Sequence, residues 1–169
     1  LIGTSSWTSV SIGRDGSHTT AIRNDGRIFT WGLGTSGQLG DGTAISKSSP
    51  VLIGTSSWTS VSAGSDISVA VRFGGSLFTW GAGGGGALGD GTVIGKSSPV
   101  QIGTIVRSPI LIGTKSWSIL SAGDSHTAAI RNDGALFTWG GNGSGQLGDG
   151  TIINRSSPVQ IGTSSWTSV

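Results

Sequence analysis

Residues His18 to Gly32 read HTTAIRNDGRIFTWG, and residues His126 to Gly140 read HTAAIRNDGALFTWG. In each, Asn-Asp-Gly separates two short segments whose polar and apolar side chains alternate, the pattern of a β-hairpin. Phe29 and Trp31 fall on one face of the second strand and Ile28 and Thr30 on the other, so both faces carry groups suited to burial. A strand covered on both faces requires sheets stacked on either side of it.

The hairpin is one part of a repeating unit. Trp7, Trp58, Trp117 and Trp166 each follow a Ser, at intervals of 51, 59 and 49 residues, and LIGTSSWTSV at Leu1–Val10 returns at Leu52–Val61 and, with Gln first, at Gln160–Val169. Trp31, Trp80 and Trp139 end the strings RIFTWG, SLFTWG and ALFTWG; ten residues later stand Asp41, Asp90 and Asp149 of LGDGT, and nine beyond those Pro50, Pro99 and Pro158. The repeats divide as 1–51, 52–110 with an insertion at 101–110, 111–159, and the start of a further repeat at 160–169. SWTSVS before the hairpin and SPVLI or SPVQI after LGDGT add two strands, making four per unit. No segment shows apolar residues at helical spacing. Four short strands at this period describe a β-propeller blade, and a sandwich built from the same hairpins does not demand so strict a repeat. The fold class is therefore all-β, a propeller of four-stranded antiparallel blades with about three blades present. The small residues Thr20, Ala21, Ala128 and Ala129 suit a crowded inner strand.

Composition narrows the function classes. Glycine supplies 32 of 169 residues, yet seven Trp at regular positions argue for order over a flexible linker. Ten Lys and Arg against eight Asp leave a net charge of +2, with the basic residues spread singly, so nothing implies nucleic acid. The absence of Cys removes disulfides, thiolate catalysis and cysteine metal sites. No apolar run approaches the roughly 20 residues of a membrane span. The sequence shows neither an initiator Met nor a signal peptide, and reads either as an excerpt from a longer array of near-identical repeats or as a subunit completing its propeller with other copies.

From SAGDSHTAAIRNDGALFTWG through GNGSGQLGDG to the following SPV, at Ser121–Val159, and in the equivalent stretch of the first repeat, the chain resembles the regulator of chromosome condensation repeat family and is similar to repeat proteins of bacteria and phages. The resemblance implies a seven-bladed propeller with about 50 residues per blade. That fold serves nucleotide exchange on a small GTPase, enzyme inhibition and scaffolding, so it does not fix function. The middle repeat departs from the pattern, with Ile67 in place of His126 and Ala87 in place of Gln38 or Gln146. Such losses mark the His and Gln as framework groups.

Candidate chemistry is sparse. Asp124-Ser125-His126 invites a nucleophile reading, but adjacency along a strand cannot supply the geometry that catalysis needs, and a structural role for His18 and His126 is the better expectation. Asp41, Asp90 and Asp149 lack the further carboxylates of a calcium loop and read as turn formers. GAGGGGALG at Gly81–Gly89 precedes no helix able to meet a phosphate, and reads as conformational freedom. Asn142-Gly143-Ser144 and Asn154-Arg155-Ser156 are glycosylation sequons. No catalytic, cofactor-binding or metal residue is assigned, no cofactor is expected, and the partner-binding residues are unknown from sequence.

The reading that follows is a non-enzymatic structural or protein-interaction module in a surface, fibre or virion assembly, partnered by further copies or repeats of itself, with neither nucleic-acid binding nor membrane insertion; its location is unknown from sequence, an extracellular, cell-surface or virion one being favoured over a cytoplasmic one. The alternatives are a guanine-nucleotide exchange factor for a small GTPase, which needs a face of unlike loops, and a propeller-type enzyme inhibitor, which needs exposed aromatic anchors on one rim.

Overall fold

The computed structural model describes residues 6–103 and 116–169. They form three four-stranded antiparallel sheets, each built from strands consecutive in the chain. The first blade comprises β1 (Trp7–Ile12), β2 (His18–Arg23), β3 (Ile28–Gly32) and β4 (Lys47–Leu52). The second comprises β5 (Trp58–Ala63), β6 (Ile67–Arg72), β7 (Leu77–Gly81) and β8 (Lys96–Ile102), and the third β9 (Trp117–Ala122), β10 (His126–Arg131), β11 (Leu136–Gly140) and β12 (Arg155–Gln160). Apart from one three-residue 3₁₀ turn, Gly84–Gly86, the described elements are all strands.

The hairpin turns lie where the alternation breaks. Gly26, Gly75 and Gly134 adopt φ of 79°, 82° and 84°, a left-handed conformation that residues with a Cβ resist, and their amides donate to Arg23, Arg72 and Arg131 carbonyls. The pairing that results sets Ala21 opposite Phe29, Ala70 opposite Phe78 and Ala129 opposite Phe137. Thr20, Ala21, Ala128 and Ala129 stand on the second strand of their blades. It is the first strand that leads onto the preceding blade: β5 packs on β1 and β2, and β9 on β5 and β6. Pro50, Pro99 and Pro158 occupy the outer edge strands, where a missing amide hydrogen breaks no ladder.

Calling the face toward the preceding blade the near face, the core consists of far faces packed on near faces. Ile22, Ile28 and Ile53 of the first blade meet Trp58, Phe78 and Trp80 of the second. Val69, Val71 and Leu77 of the second meet Trp117, Phe137 and Trp139 of the third. Strand β7 in the middle blade is buried at every residue, as a strand with two covered faces should be. Each junction is also pinned by main-chain bonds, among them Trp58 N–H to the Gly26 carbonyl at 2.7 Å and Trp117 N–H to Gly75 at 2.9 Å. Trp166 N–H reaches the Gly134 carbonyl at 2.9 Å, so the final segment takes the place of a following blade's first residues.

Of the segment expected as an excursion between blades, Gln101 and Ile102 belong to β8, with Ile102 buried in the core beside Leu77. Residues 104–110 lie outside the described residues.

Candidate functional site

The loop between β3 and β4 carries the most recognisable sequence, GQLGDGT, and the structure shows what it does. Thr30 Oγ1 donates to the Leu39 carbonyl at 2.7 Å, folding the loop back over its own sheet, and Thr79 with Leu88 and Thr138 with Leu147 repeat the bond at the same distance. The loop then rests on the next blade. Gly40 (φ +75°) and Gly89 (φ +72°) sit against the indole Nε1 of Trp80 and Trp139, where an added Cβ would come within 2.7 and 2.5 Å. The carbonyl of Gln38 accepts two bonds at 2.9 Å, from Trp80 Nε1 and from Ser68 Oγ.

His18 completes this clamp. Its Nε2 lies 2.9 Å from Ser68 Oγ. Because the Ser68 hydroxyl proton is committed to the Gln38 carbonyl, His18 must donate through Nε2 and carry a bare Nδ1. Burial lowers its pKa below the ordinary 6.5, against the opposing pull of Asp66. The imidazole is thus a neutral brace between the first two blades. Ile67 replaces it at the next junction, where Thr127 Oγ1 donates to the Ala87 carbonyl at 3.2 Å. The acceptor is a main-chain carbonyl in both places, which is why Ala87 can stand where Gln38 stands.

The other residues singled out in the sequence are similarly engaged. Asp41 Oδ1 accepts from the Thr43 amide and hydroxyl, and Oδ2 lies 3.2 Å from Lys47 Nζ. Burial pushes this carboxyl up, but those partners outweigh it and hold the pKa below the usual carboxylate range. Asp90 repeats the arrangement with Thr92 and Lys96, and Asp149 with Thr151 and Arg155. Asp124 is bonded by Arg14 at 2.7 Å and Ser65 at 2.8 Å. Asn142 is fully buried, its amide nitrogen donating to Asp149, Thr151 and Ile153, which takes that sequon's acceptor nitrogen out of reach. Asn154, the other sequon Asn, is exposed.

The second-blade turn reads Phe73-Gly74-Gly75 where the other two read Asn-Asp-Gly. Phe73 is 78% exposed, and Arg72 beside it lies over the Phe78 ring at 4.5 Å and the Trp58 ring at 5.5 Å. Arg72, Trp58 and Phe78 line a cavity of about 360 Å³ between the first two blades, with Asp41, Ser56 and Ser98 among the other lining residues. The signal was present in the sequence as the loss of Asn-Asp at one turn out of three.

Comparison with known proteins places these repeats. The model described as "Regulator of chromosome condensation (RCC1) repeat" matches residues 25–71, 74–130 and 133–169, and a second model of the same description matches 7–38 and 117–146. The chain belongs to the RCC1 repeat family. It is 31% identical over 147 residues to the ultraviolet-B receptor UVR8 of Arabidopsis thaliana, covering 85% of this chain and 32% of that protein. Among solved structures it is similar to yeast RCC1 (Prp20) bound to Kap60, at TM-score 0.77 and 18% identity, covering 93% of this chain and 37% of that one. It is also similar to Prp20p of Saccharomyces cerevisiae, described together with its binding to Gsp1p and histones, at TM-score 0.74 and 20% identity over 93% and 38% of the two chains. The RCC1-repeat chain thus spans about a third of the length of these relatives. Among the described residues no helix is long and apolar enough to cross a membrane.

Proposed function

We propose that this chain is a non-enzymatic protein-interaction module whose RCC1 blades assemble with further blades of the same repeat in a surface, fibre or virion structure. One observation carries the reading: the two halves of the inter-blade clamp are both on display, at opposite flanks. Trp80 and Trp139 are fully buried, whereas Trp31 is half-buried, because the described residues place no sheet against the near face of the first blade. Val10 and Ile12 on β1 are correspondingly 63% and 61% exposed, while Val61 and Ala63 at the same places on β5 are buried. At the other flank, Gln146 and Gly148, the counterparts of Gln38 and Gly40, are exposed. A loop shaped to seat a Trp and a Trp lacking its loop form a head-to-tail pair, the kind of heterologous contact that propagates into rings or fibres. The engagement of His18, Asp41 and Asp124 in framework contacts supports a role without catalysis.

Sedimentation of the 169-residue chain over a range of concentrations tests this. Association should exceed the 16.9 kDa monomer and weaken in Trp31→Asp and in Gly148→Trp. A stable monomer at all concentrations overturns it. The relative described as binding Gsp1p and histones favours a second reading, guanine-nucleotide exchange. Accelerated nucleotide release from a small GTPase would support that one instead.

A further inference from the structure

Blades one and three fill the same position in the same way. Arg23 holds Asp25 with Nε to Oδ1 at 3.1 Å and the terminal nitrogen to Oδ2 at 2.5 Å, and Arg131 holds Asp133 at 2.9 and 2.8 Å. Each guanidinium also lies 4.9 Å from the Phe of its own blade, Phe29 or Phe137. In the second blade the turn reads Phe73-Gly74-Gly75, so Gly74 stands where those carboxylates stand. Arg72 keeps its place over Phe78 and Trp58, and its Nε is buried without a hydrogen-bond partner. A buried guanidinium nitrogen with no acceptor is costly, and the planar fork matches one ligand above others, a carboxylate taken through two parallel bonds.

We propose that the second blade is a docking site for an acidic peptide, in which Arg72 takes an Asp or Glu side chain supplied by another protein. The inference rests on the chain being an interaction module, and names the chemistry of one partner. The two internal copies show the geometry that the incoming carboxylate would adopt. The cavity beside Arg72, about 360 Å³, has room for a side chain, with Ser56 and Ser98 among its lining residues. Asp41 on its wall is paired with Lys47, so its charge is compensated there. Phe73, 78% exposed on the same turn, offers an apolar contact to the residue next to the acid. The turn that lacks the acid thus carries an aromatic anchor at the site.

The test is fluorescence anisotropy of the full chain with a labelled Glu-Leu-Glu-Leu-Glu peptide and its Gln-for-Glu counterpart. Saturable binding of the acidic peptide, at least tenfold weaker for the Gln version and for Arg72→Gln, is expected, with Arg72→Lys in between because an ammonium keeps the charge and loses the fork. Phe73→Asn combined with Gly74→Asp rebuilds the turn of the other blades and supplies the carboxylate internally. It should abolish binding, and Phe73→Asn alone should only weaken it. Absence of saturable binding, equal binding of the two peptides, or binding by the rebuilt turn as tight as by Phe73→Asn overturns the proposal. Sedimentation of the same variants reads self-assembly separately, so a failed docking site with association intact is distinguishable from failure of the assembly reading.

Discussion

His18 shows how one residue's chemistry becomes a property of a junction. Because its folded pKa lies below the ordinary 6.5, the unfolded chain binds a proton that the folded chain excludes, over the interval between the two values. The stability of the first junction is therefore fully present above about pH 6.5 and is lost as pH falls through the folded pKa. His18→Ile, which copies Ile67 of the second blade, should remove that share of the fall in melting temperature between pH 7.5 and 5.5. An unchanged pH dependence in the variant would show that His18 is not the titrating group. The tryptophans differ by context alone. Trp139→Ala should cost about 3–5 kcal/mol in urea unfolding, and Trp31→Ala about half of that or less, since much of its ring already meets water.

At the scale of the element, the GQLGDGT loop is a connector that has become half of an interface. Its glycines answer two different demands, a left-handed backbone and close approach to an indole, and the two can be separated. Gly89→Ala meets both, with φ +72° and a Cβ 2.5 Å from Trp139 Nε1. Gly148→Ala meets chiefly the first, with φ +69° and only Ile161 near, at 3.9 Å. The backbone penalty alone is about 1–3 kcal/mol. Both variants should be destabilised on chemical denaturation, Gly89→Ala by at least about 1 kcal/mol more, the excess reporting on the packed Trp. Equal losses would mean that the loop does not bear on the indole.

For the whole molecule, nearest-neighbour stacking sets the behaviour. Each blade is stabilised by the faces it shares, so an array with uncovered flanks gains by adding a blade, whichever chain provides it. The middle blade, covered on both faces, should be the most protected from exchange, and the exposed Val10 and Ile12 mark the first blade as the weaker end. The association expected for the 169-residue chain follows from the same faces. It should also raise the melting temperature with concentration, as any equilibrium that consumes folded monomer does.

The sequence by itself determined the strands, the turns and the period, because alternation, Asn-Asp-Gly and recurring Trp act locally and each repeat states them again. It also marked His18 and Gln38 as framework residues, since the second repeat does without both. What it could not show was that the Gln38 main-chain carbonyl, and not its side chain, meets Trp80; a carbonyl is present at every residue and leaves no trace in composition. Nor could identical Trp codes reveal that Trp31 is half-buried while Trp80 and Trp139 are enclosed, because burial is conferred by a neighbouring sheet. Arg72 lies at the same boundary. Its missing Asp was legible as Gly74, but only the packing of two blades places its guanidinium over Phe78 with a buried Nε, because a partner's absence matters only where water is also excluded.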